Sequence, residues 1–384
     1  MSAERIETLV VGGGHAGLAM SHMLTQRGRP HLVLERSRIA ERWRTERWDG
    51  LRFQFPNWSV RLPNFPLPHA DPDGFATSSE IVDFIMGYAA FIAAPIRCGV
   101  SVMAIRRTGE SGFIAQTPDG QIEAENVVVA TGPYQRPVIP SLFADNARIF
   151  QVHSGRYRNP DQLPSGAVLV VGSGASGAQI CEELLRSGRR VYLSIGRHTR
   201  LPRRYRGKDL VWWLNAMGFD QTSVHGPGRS KPLITGAFGG NTIDFRRFAA
   251  EGVTLLGRIL AVHDDEVDLA PDLAKRLAYG DGSYAFFLDK ADAHVLRHGL
   301  EMPEEPAARA VLPDPPCLVE PLAHFNLRAA GIGAVIWATR LGKNAAVNRA
   351  KRAGAGRRRF VAQIGSRMIL ERAEGAAEHL RERE

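Results

Sequence analysis

Two glycine-rich loops constrain this chain more than any other feature. The first loop follows an apolar strand that begins at Ile6, and it has the spacing GxGxxG on Gly12, Gly14 and Gly17. The first glycine permits a tight turn, the second lets the backbone approach a pyrophosphate, and the third lets a helix pack closely on the strand. A second strand, His31–Glu35, ends in a carboxylate that can accept hydrogen bonds from ribose hydroxyls. This context favours a dinucleotide site over an ordinary glycine-rich turn.

The same arrangement recurs further along the chain. The apolar run Ala167–Val171 leads into a second GxGxxG loop, and a helical pattern comes after it. The residues of this loop that we expect to bind a cofactor are Gly172, Gly174, Ser176 and Gly177. Two such loops predict two bound dinucleotides and an α/β fold class with two Rossmann-like dinucleotide-binding domains.

The strand that follows the second loop ends without a carboxylate. Ser194 and Arg197 offer a hydroxyl and a guanidinium there, which suit the 2′-phosphate of NADP better than the bare ribose of NAD. The alternative is that Arg197 and Arg200 form a solvated basic face. Because Glu35 suits FAD or NAD, the natural pairing is FAD at the first loop and NADPH at the second. This pairing indicates a flavoprotein oxidoreductase.

The order of the two loops predicts an FAD-binding domain with an NADPH-binding domain nested in it. The expected boundaries are residues 1–164 for the FAD-binding domain, 165–325 for the NADPH-binding domain, 326–339 for a strand that returns to the FAD domain, and 340–384 for an atypical basic tail.

Composition excludes several other classes of protein. No run of 18 or more uncharged apolar residues occurs, which predicts no membrane span. Three distant cysteines give neither a CxxC motif nor a metal-ligand spacing. Most of the net charge of +9 resides in the tail, because residues 340–384 have 12 Lys and Arg against 5 Glu, whereas residues 1–339 have 37 basic against 35 acidic residues. We therefore expect a soluble, cytoplasmic protein without a metal or a nucleic-acid partner.

With both loops in place, the chain resembles the flavin-containing monooxygenase superfamily, especially bacterial flavoproteins of the CzcO type, which are related to plant YUCCA enzymes and Baeyer-Villiger monooxygenases. The resemblance covers about residues 5–339. Glu41–Trp48 is similar to the family's Gly-Gly-x-Trp segment under the flavin, with Glu41 and Arg42 in place of the two glycines. Val129–Tyr134 is similar to the ATG motif that links the two domains.

The resemblance also implies roles for single residues. It implies cofactor contacts at Trp43, Val102, Thr131 and Gly132, with Val102 in a strand-like segment, Cys98–Ile105, whose backbone contacts the adenine of FAD. Phe55–Pro63 is similar to the family segment whose Asn faces the flavin and the nicotinamide, which implies a catalytic, hydrogen-bonding role for Asn57. An asparagine after a proline is also a common turn residue, and Trp43 also fits a domain core.

The family's motif FxGxxxHxxx(Y/F) is half present. His153 and Tyr157 keep its last spacing, whereas Ala147 and Ile149 stand at the Phe and Gly positions. This departure favours the broader superfamily over its eukaryotic-type and Baeyer-Villiger groups. A lone histidine is more often structural than catalytic, so His153 is not assigned a catalytic role.

By resemblance, NADPH would reduce FAD, and reduced FAD would react with O2 to give a C4a-(hydro)peroxyflavin. One oxygen atom would then pass to a small organic substrate, at a nucleophilic nitrogen or sulfur or at a ketone. The protein would position the nicotinamide and exclude water. Two alternatives remain, an NADPH-dependent flavin oxidoreductase or oxidase without oxygen transfer and a degenerate flavoprotein with impaired FAD binding.

The chain changes character after Thr339. Ala334–Gly342 reads AVIWATRLG and parallels Asn126–Tyr134, NVVVATGPY, but Arg340 stands where the turning glycine belongs. Arg, Ala and Gly dominate the tail, where they account for 10, 9 and 5 of the residues from 340 onward. Codons for these three residues interconvert when the reading frame of GC-rich DNA shifts. We therefore hypothesise a frameshift near codon 340. The alternative is a solvated, helical basic tail.

Overall fold

The computed structural model describes residues 4–109, 112–132, 136–143, 148–218, 232–339, 341–342 and 361–363. The strands in this part of the chain are β1 (Glu4–Val11), β2 (His31–Glu35), β3 (Arg61–Leu62), β4 (Phe65–Pro66), β5 (Ile96–Cys98), β6 (Ala104–Thr108), β7 (Gly112–Thr117), β8 (Gly120–Val129), β9 (Arg136–Pro137), β10 (Phe150–His153), β11 (Ala167–Val171), β12 (Val191–Ser194), β13 (Thr199–Arg200), β14 (Arg204–Tyr205), β15 (Lys208–Asp209), β16 (Pro232–Leu233), β17 (Thr254–Leu256), β18 (Ile259–His263), β19 (Glu266–Leu269), β20 (His324–Asn326), β21 (Ile332–Trp337), β22 (Leu341–Gly342) and β23 (Val361–Gln363).

The helices are fewer and vary widely in length. Within the described residues they are α1 (His15–Gln26), α2 (Glu41–Thr45), α3 (Ser78–Phe91), α4 (Ala175–Arg186), α5 (Leu210–Ala216), α6 (Phe245–Ala250), α7 (Leu273–His298) and α8 (Pro316–Val319). Among these residues, no helix is both long enough and apolar enough to cross a membrane.

Two larger sheets organise the fold. The first has the order β5-β2-β1-β8-β7-β6, in which the first four strands run parallel and the last two pair antiparallel. The second has the order β10-β21-β11-β12-β17 and is parallel throughout. Parallel strands covered on both faces consist of nearly continuous apolar residues, as in β11, where all five residues are buried.

The two sheets repeat one topology. In each, the strand before the glycine loop lies at the centre, the strand after the glycine helix pairs on one side of it, and a later strand pairs on the other side. The series β5-β2-β1-β8 in the first sheet therefore corresponds to β17-β12-β11-β21 in the second. This confirms the predicted α/β fold with two Rossmann-like units.

The domain boundaries expected from sequence do not follow the sheets. Strand β10 precedes residue 164 but pairs in the second sheet. Residues 326–339 do not return to the first domain, because β21 pairs with β10 and β11 of the second sheet. The return comes later, where β22 pairs with β9 and β23 pairs in parallel with Val127–Val129 of β8. Arg340 and most of the tail behind the frameshift hypothesis lie outside the described residues.

The close packing of α4 on its sheet yields a stability prediction. A Cβ atom at Gly177 would lie 1.8 Å from the carbonyl oxygen of Gly172 and 3.1 Å from Cβ of Ala338. Because the backbone must move to admit it, we expect Gly177→Ala to lower the free energy of unfolding by about 1–3 kcal/mol. Urea unfolding followed by circular dichroism measures the change.

Gly282 provides the matched control, since it is also a helical glycine but has no atom within 4 Å of its Cβ position. There Gly282→Ala should raise the free energy of unfolding by about 0.5–1 kcal/mol, because alanine is the better helix former. Equal effects of the two substitutions would contradict the packing argument.

Candidate functional site

The first glycine loop is shaped by contacts that only glycine allows. Gly12 has φ of +117°, and a Cβ atom there would lie 2.6 Å from the carbonyl oxygen of Ala130 at the end of β8. A Cβ atom at Gly17 would lie 1.9 Å from the carbonyl oxygen of Gly12. Helix α1 therefore packs directly on the turn that precedes it.

The N-terminus of α1 faces open space. Gly14 is the residue before the helix, and no atom lies within 4 Å of the position that its Cβ would take. The first N–H groups of a helix have no partners within the helix and attract negative charge. The loop therefore fits a pyrophosphate at this position.

Glu35 at the end of β2 is held in place by the loop. One carboxylate oxygen accepts a hydrogen bond from the Gly13 N–H at 2.7 Å, and the other accepts one from the Ser37 N–H at 3.0 Å. An ionised carboxylate has about four lone-pair sites, so each oxygen keeps capacity for a further donor. This arrangement fits the hydroxyls of a ribose.

The second loop repeats the first. Gly172 has φ of +111°, and a Cβ atom there would lie 2.7 Å from the carbonyl oxygen of Ala338. Gly174 precedes α4 and has no atom within 4 Å of its Cβ position. The carbonyl of Ala338 therefore packs against the turn of the second loop in the same way as the carbonyl of Ala130 packs against the turn of the first. The Ala-Thr pair of AVIWATRLG therefore packs against the second glycine loop.

Ser194 does not occupy the position expected of it. In the sheet register, Leu34 pairs with the end of β1 as Ser194 pairs with the end of β11, so Ile195 is the counterpart of Glu35. The Ser194 side chain is buried and donates a hydrogen bond to the Gly257 carbonyl at 3.0 Å. The residue that follows β12 at the position of Glu35 is thus apolar, and its side chain has no hydrogen-bond acceptor.

Arg197 lies two residues beyond Ile195 and is exposed. Its guanidinium carbon is 5.3 Å from the centroid of the Tyr279 ring, so the cation lies over an aromatic surface. In the same turn, the Ser173 hydroxyl accepts a hydrogen bond from the Gly196 N–H at 3.0 Å, which ties the glycine loop to this segment. Half-buried Ser176 is in the first turn of α4.

The segment after β2 corrects one detail of the sequence comparison. Ala40 has φ of +60°, the left-handed conformation that glycine adopts most easily. Counting back from Trp43, the spacing Gly-Gly-x-Trp also places the glycine equivalents at Ala40 and Glu41, one residue earlier than expected. Trp43 is half-buried, and its ring centroid is 5.6 Å from that of Phe53.

Asn57 has the contacts of a turn residue. Its side-chain amide donates to the Asp71 carbonyl at 2.9 Å, and its main-chain N–H donates to the Gly74 carbonyl at 2.9 Å. Its side-chain oxygen is buried without a hydrogen-bond partner among the described residues. These bonds join Asn57 to the loop at 71–74, and the catalytic role stays a prediction.

The other expected cofactor contacts have mixed outcomes. Val102 does not lie in a strand, because β5 ends at Cys98 and β6 begins at Ala104. Gly132 has φ of +81°, in keeping with the sharp turn of the ATG motif, and Thr131 precedes it at the end of β8.

His153 is buried, and its Nδ1 accepts a hydrogen bond from the Gly155 N–H at 3.0 Å. Burial lowers the pKa of its imidazole, with the charge of Arg156 adding to this effect and a hydrogen bond to the Thr339 backbone opposing it.

Side chains of the second domain hold the segment that follows α2. The Asp49 N–H donates to the Arg158 carbonyl at 2.8 Å, and the Arg158 guanidinium donates to the carbonyls of Thr45 and Arg47. The Tyr157 hydroxyl donates to the Glu183 carboxylate on α4 at 2.8 Å. A Cβ at Gly50 would lie 2.1 Å from that carboxylate, so the two units are in direct contact here.

Arg203 joins the two units at a second place. It is 2% exposed, pairs with Asp209 at 2.6 Å and donates to the Gln54 carbonyl at 2.8 Å. A buried cation with its own carboxylate partner fits a structural role at this contact. Only the burial of this residue separates it from the exposed Arg204 and Lys208.

The fold and the two loops define a class of α/β proteins with two Rossmann-like units, and comparison with known proteins narrows this class. Residues 9–217 match the family model described as pyridine nucleotide-disulphide oxidoreductase. Over 217 residues the chain is 41% identical to the Geobacillus kaustophilus protein described as an uncharacterized oxidoreductase, CzcO-like, a match that covers 56% of this chain and 61% of that protein.

Two further comparisons point the same way. The chain is 30% identical over 185 residues to the probable indole-3-pyruvate monooxygenase YUCCA1 of Arabidopsis thaliana, with 46% of this chain and 44% of that protein covered. The flavin-containing monooxygenase from Stenotrophomonas maltophilia has a similar fold, with a TM-score of 0.62, 16% identity and coverage of 99% of this chain and 98% of that one.

The chain therefore belongs to the pyridine nucleotide-disulphide oxidoreductase family. The part of the chain that aligns with these curated relatives spans less than two thirds of each relative's own length.

The contact between Tyr157 and Glu183 yields a pH-dependent prediction. Burial raises the pKa of Glu183, the Tyr157 hydrogen bond opposes this rise, and Asp49 adds to it. Without the Tyr157 hydroxyl, the pKa of the folded state rises further. An acid with a raised folded-state pKa stabilises the fold only when protonated, so stability is lost as the pH increases through that pKa. We expect Tyr157→Phe to cost about 1–3 kcal/mol at pH 8, and less at pH 5.

Tyr192→Phe is the control, since the Tyr192 ring packs on Phe325 and its hydroxyl has no hydrogen bond among the described residues. Urea unfolding at the two pH values separates the outcomes. A loss in Tyr157→Phe that is the same at both pH values would contradict the role of Glu183.

Proposed function

We propose that this protein is an FAD- and NADPH-dependent monooxygenase that transfers one atom of O2 to a small organic substrate. The observation that carries the proposal is the pair of loops with matching geometry, each with a helix N-terminus facing open space beside Gly14 and Gly174. One loop has a carboxylate at the ribose position and the other does not. The comparisons with flavin monooxygenases support the class of reaction.

FAD would supply electron transfer and oxygen activation when bound at the first loop. The N-terminus of α1 would hold its pyrophosphate, and Glu35 would accept hydrogen bonds from its ribose. Gly132 would let the backbone turn beside the cofactor. The protein's contribution is binding and orientation, because the flavin itself carries the redox chemistry.

NADPH is the preferred nucleotide for the second loop. Ile195 at the strand end offers no acceptor for the ribose 2′-hydroxyl of NADH, and exposed Arg197 lies close enough in sequence to pair with a 2′-phosphate. The N-terminus of α4 would hold the pyrophosphate, as in the first site.

Aromatic side chains of the two units pack against each other around Phe55. Phe55 packs both against the core around α3 and against the cluster that contains Tyr205, Trp213 and Phe287. Phe53 stands next to it, with ring centroids 5.5 Å apart.

An NADPH oxidase without oxygen transfer is the second candidate. The contacts of Asn57 favour it, since its amide nitrogen already donates to the loop at 71–74. Such an enzyme would return hydrogen peroxide for each NADPH consumed.

The two candidates are separated by product balance. The purified protein should show flavin absorbance and should oxidise NADPH in the presence of O2. For the monooxygenase, oxygenated product should form in a ratio near one to the NADPH consumed when sulfide, amine and ketone substrates are offered. Peroxide formation that matches NADPH consumption with every substrate supports the oxidase, and a protein that cannot be reconstituted with FAD contradicts both.

The nucleotide preference rests on Arg197. Removing the guanidinium in Arg197→Gln should raise the KM for NADPH by about tenfold or more, because a charge-assisted hydrogen bond contributes about 1.5–3 kcal/mol, and should leave the KM for NADH within about twofold. Steady-state kinetics with both nucleotides measure this. Lys208→Gln is the control, as Lys208 is an exposed cation that packs on Trp212. A parallel rise in KM for both nucleotides would contradict recognition of the 2′-phosphate.

A further inference from the structure

Helix α7 holds the segment that follows β12, residues 195–200. The Arg200 main-chain N–H donates to the Ser283 hydroxyl on α7 at 3.0 Å. The Arg200 guanidinium is buried and pairs with Asp281 of α7 at 3.0 Å and with Asp244, the residue before α6, at 2.6 Å. The C-terminal end of the segment is therefore fixed between α6 and α7, and Arg200 does not belong to a solvated basic face.

The middle of the segment packs closely on the backbone of α7. A Cβ atom at Gly280 would lie 2.5 Å from Nε2 of His198, so the helix comes this near because residue 280 has no side chain. The His198 ring is buried, and its Nδ1 donates to the Gly196 carbonyl at 3.1 Å. Gly196 and His198 flank Arg197 in the chain. Contacts with α7 thus position the main chain beside Arg197.

Tyr279 of α7 lies next to the Arg197 side chain itself. The guanidinium carbon of Arg197 is 5.3 Å from the centroid of the Tyr279 ring, and Tyr279 is 39% exposed. An arginine side chain has many rotamers, and less entropy is lost on binding when a neighbouring surface already limits them. A contact with a ring does not use up the N–H donors of a guanidinium as an ion pair does, so it orients the cation without neutralising it.

The position of α7 in the chain distinguishes the second unit from the first. In the first unit, the antiparallel strands β6 and β7 lie between β5 and β8. In the second unit, α7 lies between β19 and β20, before the chain reaches β21. The helix is thus a feature of the described residues of the second unit, the one whose loop we assign to NADPH.

We propose that Tyr279 is a positioning residue for nucleotide recognition at the second loop. Its ring holds the Arg197 guanidinium in the orientation that binds a 2′-phosphate, and α7 thereby contributes to the preference for NADPH over NADH. The inference rests on the proposed function, since it assumes that the second loop binds NADPH through Arg197. It assigns part of the nucleotide specificity to a helix outside the glycine loop and its strands.

The test is binding of NADP+ and NAD+ to the purified full chain, measured by isothermal titration calorimetry. The oxidised nucleotides are used because they cannot reduce a bound flavin. Tyr279→Leu removes the ring, and it should weaken NADP+ binding about two- to fivefold, the range expected for an exposed contact between a cation and a ring. NAD+ has no 2′-phosphate, so its Kd should change by less than about 1.5-fold. Tyr279→Phe keeps the ring and should bind both nucleotides as the wild type does.

A second background separates positioning of Arg197 from a general structural role. In a chain that already has Arg197→Gln, the group that the ring orients is absent. Adding Tyr279→Leu to that chain should therefore leave the Kd for NADP+ unchanged. A ring that only stabilises the fold around the site would weaken binding in both backgrounds.

Phe286→Leu is the matched control. Phe286 is an exposed aromatic residue of the same helix, and the Lys290 ammonium lies 5.4 Å from the centroid of its ring. The substitution removes the same kind of contact from α7 outside the part that holds residues 195–200. It should leave the Kd of both nucleotides as in the wild type.

The outcomes distinguish the inference from the proposed function. Wild-type NADP+ affinity in Tyr279→Leu, equal weakening of NADP+ and NAD+, or a further loss in the Arg197→Gln background overturns the role of Tyr279. In each of these cases a wild-type preference for NADP+ over NAD+ leaves the proposed function intact. A wild-type chain that binds neither nucleotide, or binds both equally, overturns the inference together with the proposed use of NADPH.

Discussion

The fold depends on the close approach of each glycine helix to the turn before it. Gly17 against Gly12, and Gly177 against Gly172, leave less than 2 Å between a hypothetical Cβ and the carbonyl oxygen. This contact aims the helix N-terminus past the end of the central strand, into space that no described side chain fills at Gly14 or Gly174. Both glycine loops thus owe their shape to one backbone contact that is made twice.

The partner strand completes that contact. In each unit the turn at the first glycine of the loop packs against an alanine carbonyl, which is that of Ala130 after β8 in the first unit and that of Ala338 after β21 in the second. A larger residue at either alanine would crowd the helix, since a Cβ at Gly177 already lies 3.1 Å from Cβ of Ala338. The recurring Ala-Thr pair in the sequence therefore reflects a structural repeat, and it comes after the fourth strand of each unit.

Structural features that depend on residues close together in the chain were predictable from the sequence. The strand His31–Glu35 is confirmed residue for residue, and the glycine spacings mark both loops because each glycine answers a constraint within a few residues of chain. Ser194 was misplaced because strand faces alternate, so an error of one residue moves a side chain from the ribose position into the core. The hydrogen bonds of Asn57 depend on the loop at 71–74, which lies elsewhere in the sequence.

Backbone geometry cannot distinguish the two loops, since their glycines make the same contacts. If each loop binds the dinucleotide proposed for it, discrimination between nucleotides must come from side chains that differ, such as Glu35 against Ile195 at the strand ends and Arg197 beyond the second strand. Two loops of such similar backbone geometry need these differences to bind each cofactor in its own place, because a shared pyrophosphate gives no preference between them.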